Sequence, residues 1–263
     1  MDCEKKQYAI REVSQLTGVK PVTLRAWQRR YNLIQPLRTL KGHRVYTDEH
    51  LALIGEIQNW LSKGVSIGKV KQVLAVNDLG VENELAFANQ LEEVPKLLEA
   101  LSQLNRNKAD SIIANVLKEY PLDIVERQFI QPTEKALSLV RFGLRSLQTG
   151  MMRTILVARL NEILEAENKA SSLKKCLLVC YESANDIESR LWSLTLSQSG
   201  LNVVIIDGVD DLSGLIEHPQ INAYDTLAIF SPCPVSAAQY AHIERIKSGF
   251  LGRVVLSDMV ASE

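Results

Sequence analysis

Apolar residues recur every three or four positions through most of the first 170 residues, then gather into short unbroken runs. The first pattern marks helices and the second marks buried strands. Ile10, Val13 and Leu16 step by three across residues 9–17, and Gly18 suits the end of that helix. Val19-Lys20 is a tight connection, and Pro21 fits the first turn of a second helix, where its missing N–H costs nothing. Pro36 breaks the pattern, Lys41-Gly42 makes a turn, and Arg44-Val45-Tyr46 is β-prone. Thr47 can cap a third helix carrying Leu51, Ile54, Ile57, Trp60 and Leu61, with Asp48 and Glu49 at its positive end and Gly64 closing it. Ser66 can cap a short fourth helix with Ile67, Val70 and Leu74. Helix, short Gly turn, second helix and hairpin make a winged helix-turn-helix of about 70 residues.

The next stretch has no strand-like run. One helical stripe is Leu97, Leu98, Leu101 and Leu104, and another is Ile112, Ile113, Val116 and Leu117. Pro121 opens a helix with Ile124, Val125 and Phe129, and Pro132 opens another with Leu137, Leu139, Val140 and Leu144. A last helix spans about residues 150–168, which completes a helical bundle. Ala170-Ser171-Ser172 reads as a linker. Beyond it, apolar runs at 176–180, 203–206, 227–230 and 254–256 alternate with helix-like segments at 186–199, 210–217 and 235–248. That alternation predicts a doubly wound, Rossmann-like parallel sheet with helices on both faces. Its ligand edge would comprise residues 181–186, Asp207-Gly208 and residues 231–234. The expected division is a winged helix-turn-helix at 1–78, a bundle at 79–170 and an α/β domain at 171–263.

Charge sharpens the picture. Residues 1–74 hold 13 Lys and Arg against 6 Asp and Glu, a net of +7; the remainder holds 17 against 25, a net of −8. The whole-chain value of −1 hides this split. Residues 21–46 carry Arg25, Arg29, Arg30, Arg38, Lys41, His43 and Arg44, and no acid. Local positive charge is what phosphate binding requires. On a helix, Arg25 and Gln28 share one direction, and Trp27, Arg30 and Tyr31 share another. A basic helix followed by a basic hairpin suits a duplex, the helix in a major groove and the hairpin on the backbone. The candidate DNA-binding set is Thr23, Arg25, Trp27, Gln28, Arg30, Tyr31, Arg38, Lys41, His43, Arg44 and Tyr46.

The runs Ile10-Arg11-Glu12-Val13, Gly18-Val19, 21–31 and Gly42-His43-Arg44-Val45-Tyr46 resemble the N-terminal domain of MerR-type transcription regulators. The Trp in the second helix and the Gly-His-Arg wing look most like the branch of the MlrA and CarH/LitR regulators. The resemblance implies a recognition helix in the major groove, a wing on the phosphate backbone, and a dimer that distorts the promoter spacer. Lys41 stands where many relatives have a second Gly, which narrows the turn's freedom.

A bundle and an α/β domain behind such a head are similar to the cobalamin-binding sensors of this family. There, Asp-x-His-x-x-Gly after the first strand supplies the lower cobalt ligand. The corresponding stretch here is Asp186-Ile187-Glu188-Ser189-Arg190-Leu191, in which only the Asp matches. Leu147 and Val157-Ala158 stand where those sensors carry Trp and Glu-His. The resemblance therefore implies a cobalamin-type scaffold without cobalamin, and no cofactor or metal is expected. Trp192 is expected in the core.

Enzymatic motifs are missing: there is no GxSxG, P-loop or HExxH. His50, His218 and His242 read as surface histidines. Cys176 and Cys180 read as buried thiols, since neither a CxxC nor a nearby His exists. Scattered cysteines and the lack of an apolar run near 18 residues fit a reducing cytoplasm and no membrane span. The expectation is a non-enzymatic promoter-binding regulator acting as a homodimer, with RNA polymerase or a regulatory protein as a further partner. Two alternatives stay open. One is an adaptor whose α/β half binds a protein or small signal; the other is a cobalamin photosensor with an unusual ligand set.

Overall fold

The computed structural model describes residues 6–39, 42–77, 90–169, 174–181, 184, 186–216 and 218–261. Lys41, Cys3, the linker at 170–172 and part of the 181–186 loop lie outside them. Contacts divide the chain into two compact units, 1–152 and 153–263.

In the first unit, β1 (Tyr8–Ala9) leads into α1 (Ile10–Thr17) and α2 (Pro21–Tyr31). Gly18 ends α1 in the left-handed region at φ 72°, donating its N–H to Ser14 O. The stripe along α1 does not hold throughout: Val13 is buried, but Leu16 is 62% exposed. A strict three-residue step drifts around a 3.6-residue helix and carries the third member off the core. The wing is β2 (Leu37–Arg38) against β3 (Arg44–Tyr46), antiparallel, with β1 on the other side of β3. Gly42, at φ 79°, makes its turn. α3 (Asp48–Ser62) and α4 (Ile67–Asn77) follow. Thr47 caps α3 as expected. His50 contributes to the cap rather than standing free in solvent: its Nδ1 accepts from Thr47 N at 3.0 Å, and its Nε2 lies 2.9 Å from Gln35 O. Val13, Leu24, Trp27, Ile34, Tyr46, Ile54, Ile57 and Leu61 form the buried core.

The bundle comprises α5 (Glu93–Ser102), α6 (Arg106–Glu119), α7 (Leu122–Val125), α8 (Gln131–Ser138) and the first part of α9 (Phe142–Lys169). Leu104 does not extend the α5 stripe; it takes a left-handed turn at φ 50° and is half exposed. The expected break at Pro132 is instead a continuation. A π turn at Glu126–Ile130 joins α7 to α8. Pro132 has no N–H to offer Gln128 O, and Leu91 N donates to that carbonyl instead, at 2.8 Å. The helix expected to carry Leu139 and Leu144 stops at Ser138, which leaves Leu139 86% exposed.

The second unit contains the remainder of α9 and a four-stranded parallel sheet in the order β5-β4-β6-β7. Its strands are β4 (Lys174–Tyr181), β5 (Leu201–Val209), β6 (Thr226–Phe230) and β7 (Arg253–Leu256), with α10 (Ile187–Gln198), α11 (Ala237–Gly249) and α12 (Asp258–Ala261). β4 and β6 are buried on both faces, which explains their unbroken apolar runs. Leu177, Val179, Leu227 and Ile229 pack with Ile243 and Ile246 of α11. The opposite face meets α10, where Trp192 lies 6.1 Å from the Phe230 ring. The helix expected at 210–217 is absent; the described residues there form only the 3-10 turn Ser213–Leu215. Cys176 and Cys180 are buried free thiols, with burial pushing them up to about 11 and about 12 respectively.

An ion pair anchors this unit. The buried Arg190 of α10 donates to both carboxylate oxygens of Asp207 on β5, and its Nε donates to Asn161 Oδ1 of α9 at 2.8 Å. Asn168 further ties α9 to the sheet through Val203, donating to its carbonyl and accepting from its N–H. Removing one partner of a buried pair strands the other charge. Asp207→Asn should therefore lower the stability of this unit by about 3 kcal/mol, the low end of the usual cost because Asp207 is 28% exposed. Hydrogen exchange of the β4 and β5 amides measures this; unchanged protection would show that the pair contributes nothing.

Candidate nucleic-acid interface

The outward surface of α2 follows from helix geometry. Thr23, Leu24 and Trp27 turn into the core, so residues on the opposite side, Val22, Arg25 and Arg29, are exposed. Arg25 and Arg29 are one turn apart and share a direction. Gln28 sits at the flank of this face, where its Oε1 accepts from Arg44 Nε at 2.7 Å. That bond ties the wing to α2. In the wing, Arg38 donates to Gly42 O at 3.1 Å, and His43 N donates to Thr39 Oγ1 at 3.1 Å. Arg38 and His43 are exposed, and Arg38 pairs in register with Arg44. Arg25, Gln28, Arg38, His43 and Arg44 thus gather on one basic surface; Lys41 lies outside the described residues.

Five expected contacts fall elsewhere. Thr23 and Trp27 are 0% exposed and Tyr46 is 1% exposed, so none can touch an external duplex. Burial also raises the Tyr46 phenol above its ordinary range. Trp27, Arg30 and Tyr31 do share a face, but that face meets α6. The Trp27 indole donates to Glu119 O at 2.7 Å, Tyr31 OH donates to Glu119 Oε2 at 2.6 Å, and Arg30 pairs with Glu119 Oε1. Burial first, then the Glu119 carboxylate, raise the Tyr31 phenol. Spacing along α2 shows which residues travel together; it does not show what packs against the face they share. Arg29 was not among the expected contacts. Its i, i+4 relation to Arg25 was the signal for it.

Further ties hold the same frame. Gln128 Nε2 donates to Leu61 O and Ser62 O at the end of α3, and Ile67 N donates to Tyr120 OH at the start of α4. These serve carbonyls and an N–H that a helix end leaves without an intrahelical partner.

In the second unit, cobalamin would meet the stretch Asp186 to Leu191. Asp186, the matching residue of the motif, caps α10 by accepting from Ser189 N at 2.8 Å. Glu188 is exposed and offers oxygen where an imidazole is needed, while Leu191 is buried in the core where a Gly is needed. Arg190, Asp207, Asn161 and Ser189 satisfy one another at the carboxyl edge of the sheet. These residues do not fit the cofactor. Among the described residues no cluster of three or more His, Cys, Asp or Glu could hold a metal ion.

Comparisons with known proteins agree with the geometry of the head. Residues 8–76 match the MerR HTH family regulatory protein family. The HTH-type transcriptional regulator MlrA of Escherichia coli K12 is 35% identical over 140 residues, 53% of this chain and 56% of that protein. MlrA of Salmonella typhimurium SL1344 is 30% identical over 201 residues, 76% of this chain and 79% of its own length. The HTH-type transcriptional repressor CarH of Myxococcus xanthus is 34% identical over 82 residues, 31% of this chain and 27% of its own. A basic outward helix face tied to a basic wing, within a match that spans most of a Salmonella regulator, places this chain in the MerR family of helix-turn-helix transcriptional regulators, alongside the MlrA proteins.

Proposed function

We propose that this chain is a sequence-specific, promoter-binding regulator that reads a major groove with Arg25, Gln28 and Arg29. Arg38, Lys41, His43 and Arg44 hold the flanking backbone. The observation that carries this reading is the Gln28–Arg44 bond, which fixes the wing to α2 within a stretch of 26 residues that has no acid. A rigid pair of basic elements positions on phosphate and reads base edges at once. We further read it as a cytoplasmic homodimer spanning two half-sites, with residues 1–78 as the DNA-reading head, 79–170 as a bundle and 171–263 as an input domain. No helix among the described residues is long and apolar enough to cross a membrane. The input is a protein, RNA polymerase included, or a small ligand other than cobalamin, because the motif residues do not suit cobalt and the sheet edge is occupied by its own ion pair.

Arg25→Ala should cost about 1–3 kcal/mol of binding, confined to one base pair of the operator. Competition titrations against single-base variants measure it, and uniform weakening would make Arg25 a phosphate contact. Arg38→Ala and Arg44→Ala bear on the backbone. Each phosphate contact removed should reduce the log–log salt slope by about 0.9; a slope unchanged in both variants would argue against wing contact. Added cobalamin, in the dark, should give no heat in calorimetry and no shifted visible spectrum. Tight binding would restore the photosensor alternative.

A further inference from the structure

Glu119 is the last residue of α6, and three side chains of α2 converge on it. They sit at positions i, i+3 and i+4, the spacing of one helix face. The backbone carbonyl takes the Trp27 indole, and the two carboxylate oxygens take Arg30 and Tyr31. Glu119 is mostly buried, its side chain 12% exposed, whereas Arg30 is about half exposed. Arg25 and Arg29, by contrast, form no hydrogen bond or ion pair with any described residue. The charges on α2 therefore divide into two free cations on the outward face and one engaged cation on the inward flank.

We infer that Glu119 is a positioning residue for DNA reading: it seats α2 on the bundle and holds Arg30 off the phosphates, so that Arg25 and Arg29, with Gln28 at their flank, present the reading face. The inference rests on the DNA-binding reading above and adds a residue 89 positions from Arg30 to the machinery of specificity. The surroundings of Glu119 favour retention of Arg30. Glu93 lies close enough to act on both Tyr31 and Glu119, and its buried Oε2 has no hydrogen-bond partner. Burial raises the Glu93 carboxyl, opposed by a hydrogen bond from its own backbone and by Lys96, with Glu92 and Glu119 adding to the rise. If Arg30 left for a phosphate, the Glu119 carboxylate would lose this ion pair while still beside Glu93. The carbonyl at the end of α6 adds to the pull, because a helix C-terminus favours a cation.

The test uses the full chain, a promoter duplex captured with the unaltered protein, and a scrambled duplex of equal length. Affinity for both is measured against salt for the unaltered chain, Arg30→Gln, Glu119→Gln and the double variant. Arg30→Gln should leave the salt slope unchanged. Glu119→Gln should release Arg30, steepen the slope by about 0.9, and lower the ratio of specific to scrambled affinity about tenfold, the worth of one misplaced base contact. The double variant should return the slope to its starting value while the ratio stays low. A loss of about 0.9 in slope for Arg30→Gln alone would make Arg30 a phosphate contact and overturn the inference. Equal weakening on both duplexes by Glu119→Gln, with an unchanged slope, would give Glu119 a merely structural role and overturn it too. If Glu119→Gln fails to fold by circular dichroism, Arg30→Gln decides alone by the same two outcomes. Failure of the unaltered chain to bind duplex DNA would overturn the DNA-binding reading, and this inference with it.

Discussion

Helix ends are the constraint on which the first unit depends. A helix leaves its last carbonyls and first N–H groups without internal partners, and burying them unpaired is costly. Here the partners come from distant parts of the chain. Glu119 O at the end of α6 receives the Trp27 indole, the end of α3 receives the Gln128 amide, and the start of α4 meets Tyr120. The carbonyl freed by Pro132 receives Leu91 N. Head and bundle thus complete one another's helix ends, and each such bond fixes an angle as well as a contact. A recognition helix held in this way is anchored on its inward side, and its outward cations have no ion-pair partner among the described residues.

The sequence made some of this legible and not the rest, for a consistent reason. Local chemistry was readable: Gly18 and Pro21 delimit the turn, Thr47 caps α3, and the apolar runs of β4 and β6 announce strands buried on both faces. Long-range partners were not. That Trp27, Arg30 and Tyr31 share a face follows from 3.6 residues per turn, but their partner lies about 90 residues away, with no local mark of it. The same limit explains the weaker ends of the apolar stripes. Leu16, Leu104 and Leu139 have the right residue type at nearly the right spacing, yet they fall where a helix has rotated or already ended. Pro132 misled in the opposite direction, because a π turn and a borrowed N–H keep the chain helical through it.

In the α/β unit, Asp186 serves as the cap of α10, a role any N-terminal Asp can fill. Arg190, one residue before the buried Leu191, closes on Asp207 and Asn161. A buried Arg–carboxylate pair is weak evidence of added stability but strongly disfavours loss of either partner. Among the described residues at the edge where doubly wound sheets commonly accept ligands, Arg190, Asp207 and Asn161 answer one another.

Charge distribution then limits how the chain meets a duplex. The +7 of residues 1–74 is opposed by −8 over the remainder, so the positive charge is concentrated in the head although the net charge is near zero. Phosphates attract the head and repel the rest, which orients an encounter before any contact forms. Within the head, the same selection operates at the scale of one helix. Glu119 pairs with the inward arginine, while Arg25 and Arg29 form no ion pair among the described residues. At both scales acidic residues stand where DNA is to be excluded, so the positive surface that remains is small and directional. Such a surface favours one approach geometry over diffuse adhesion to any polyanion, and base-edge reading requires that geometry.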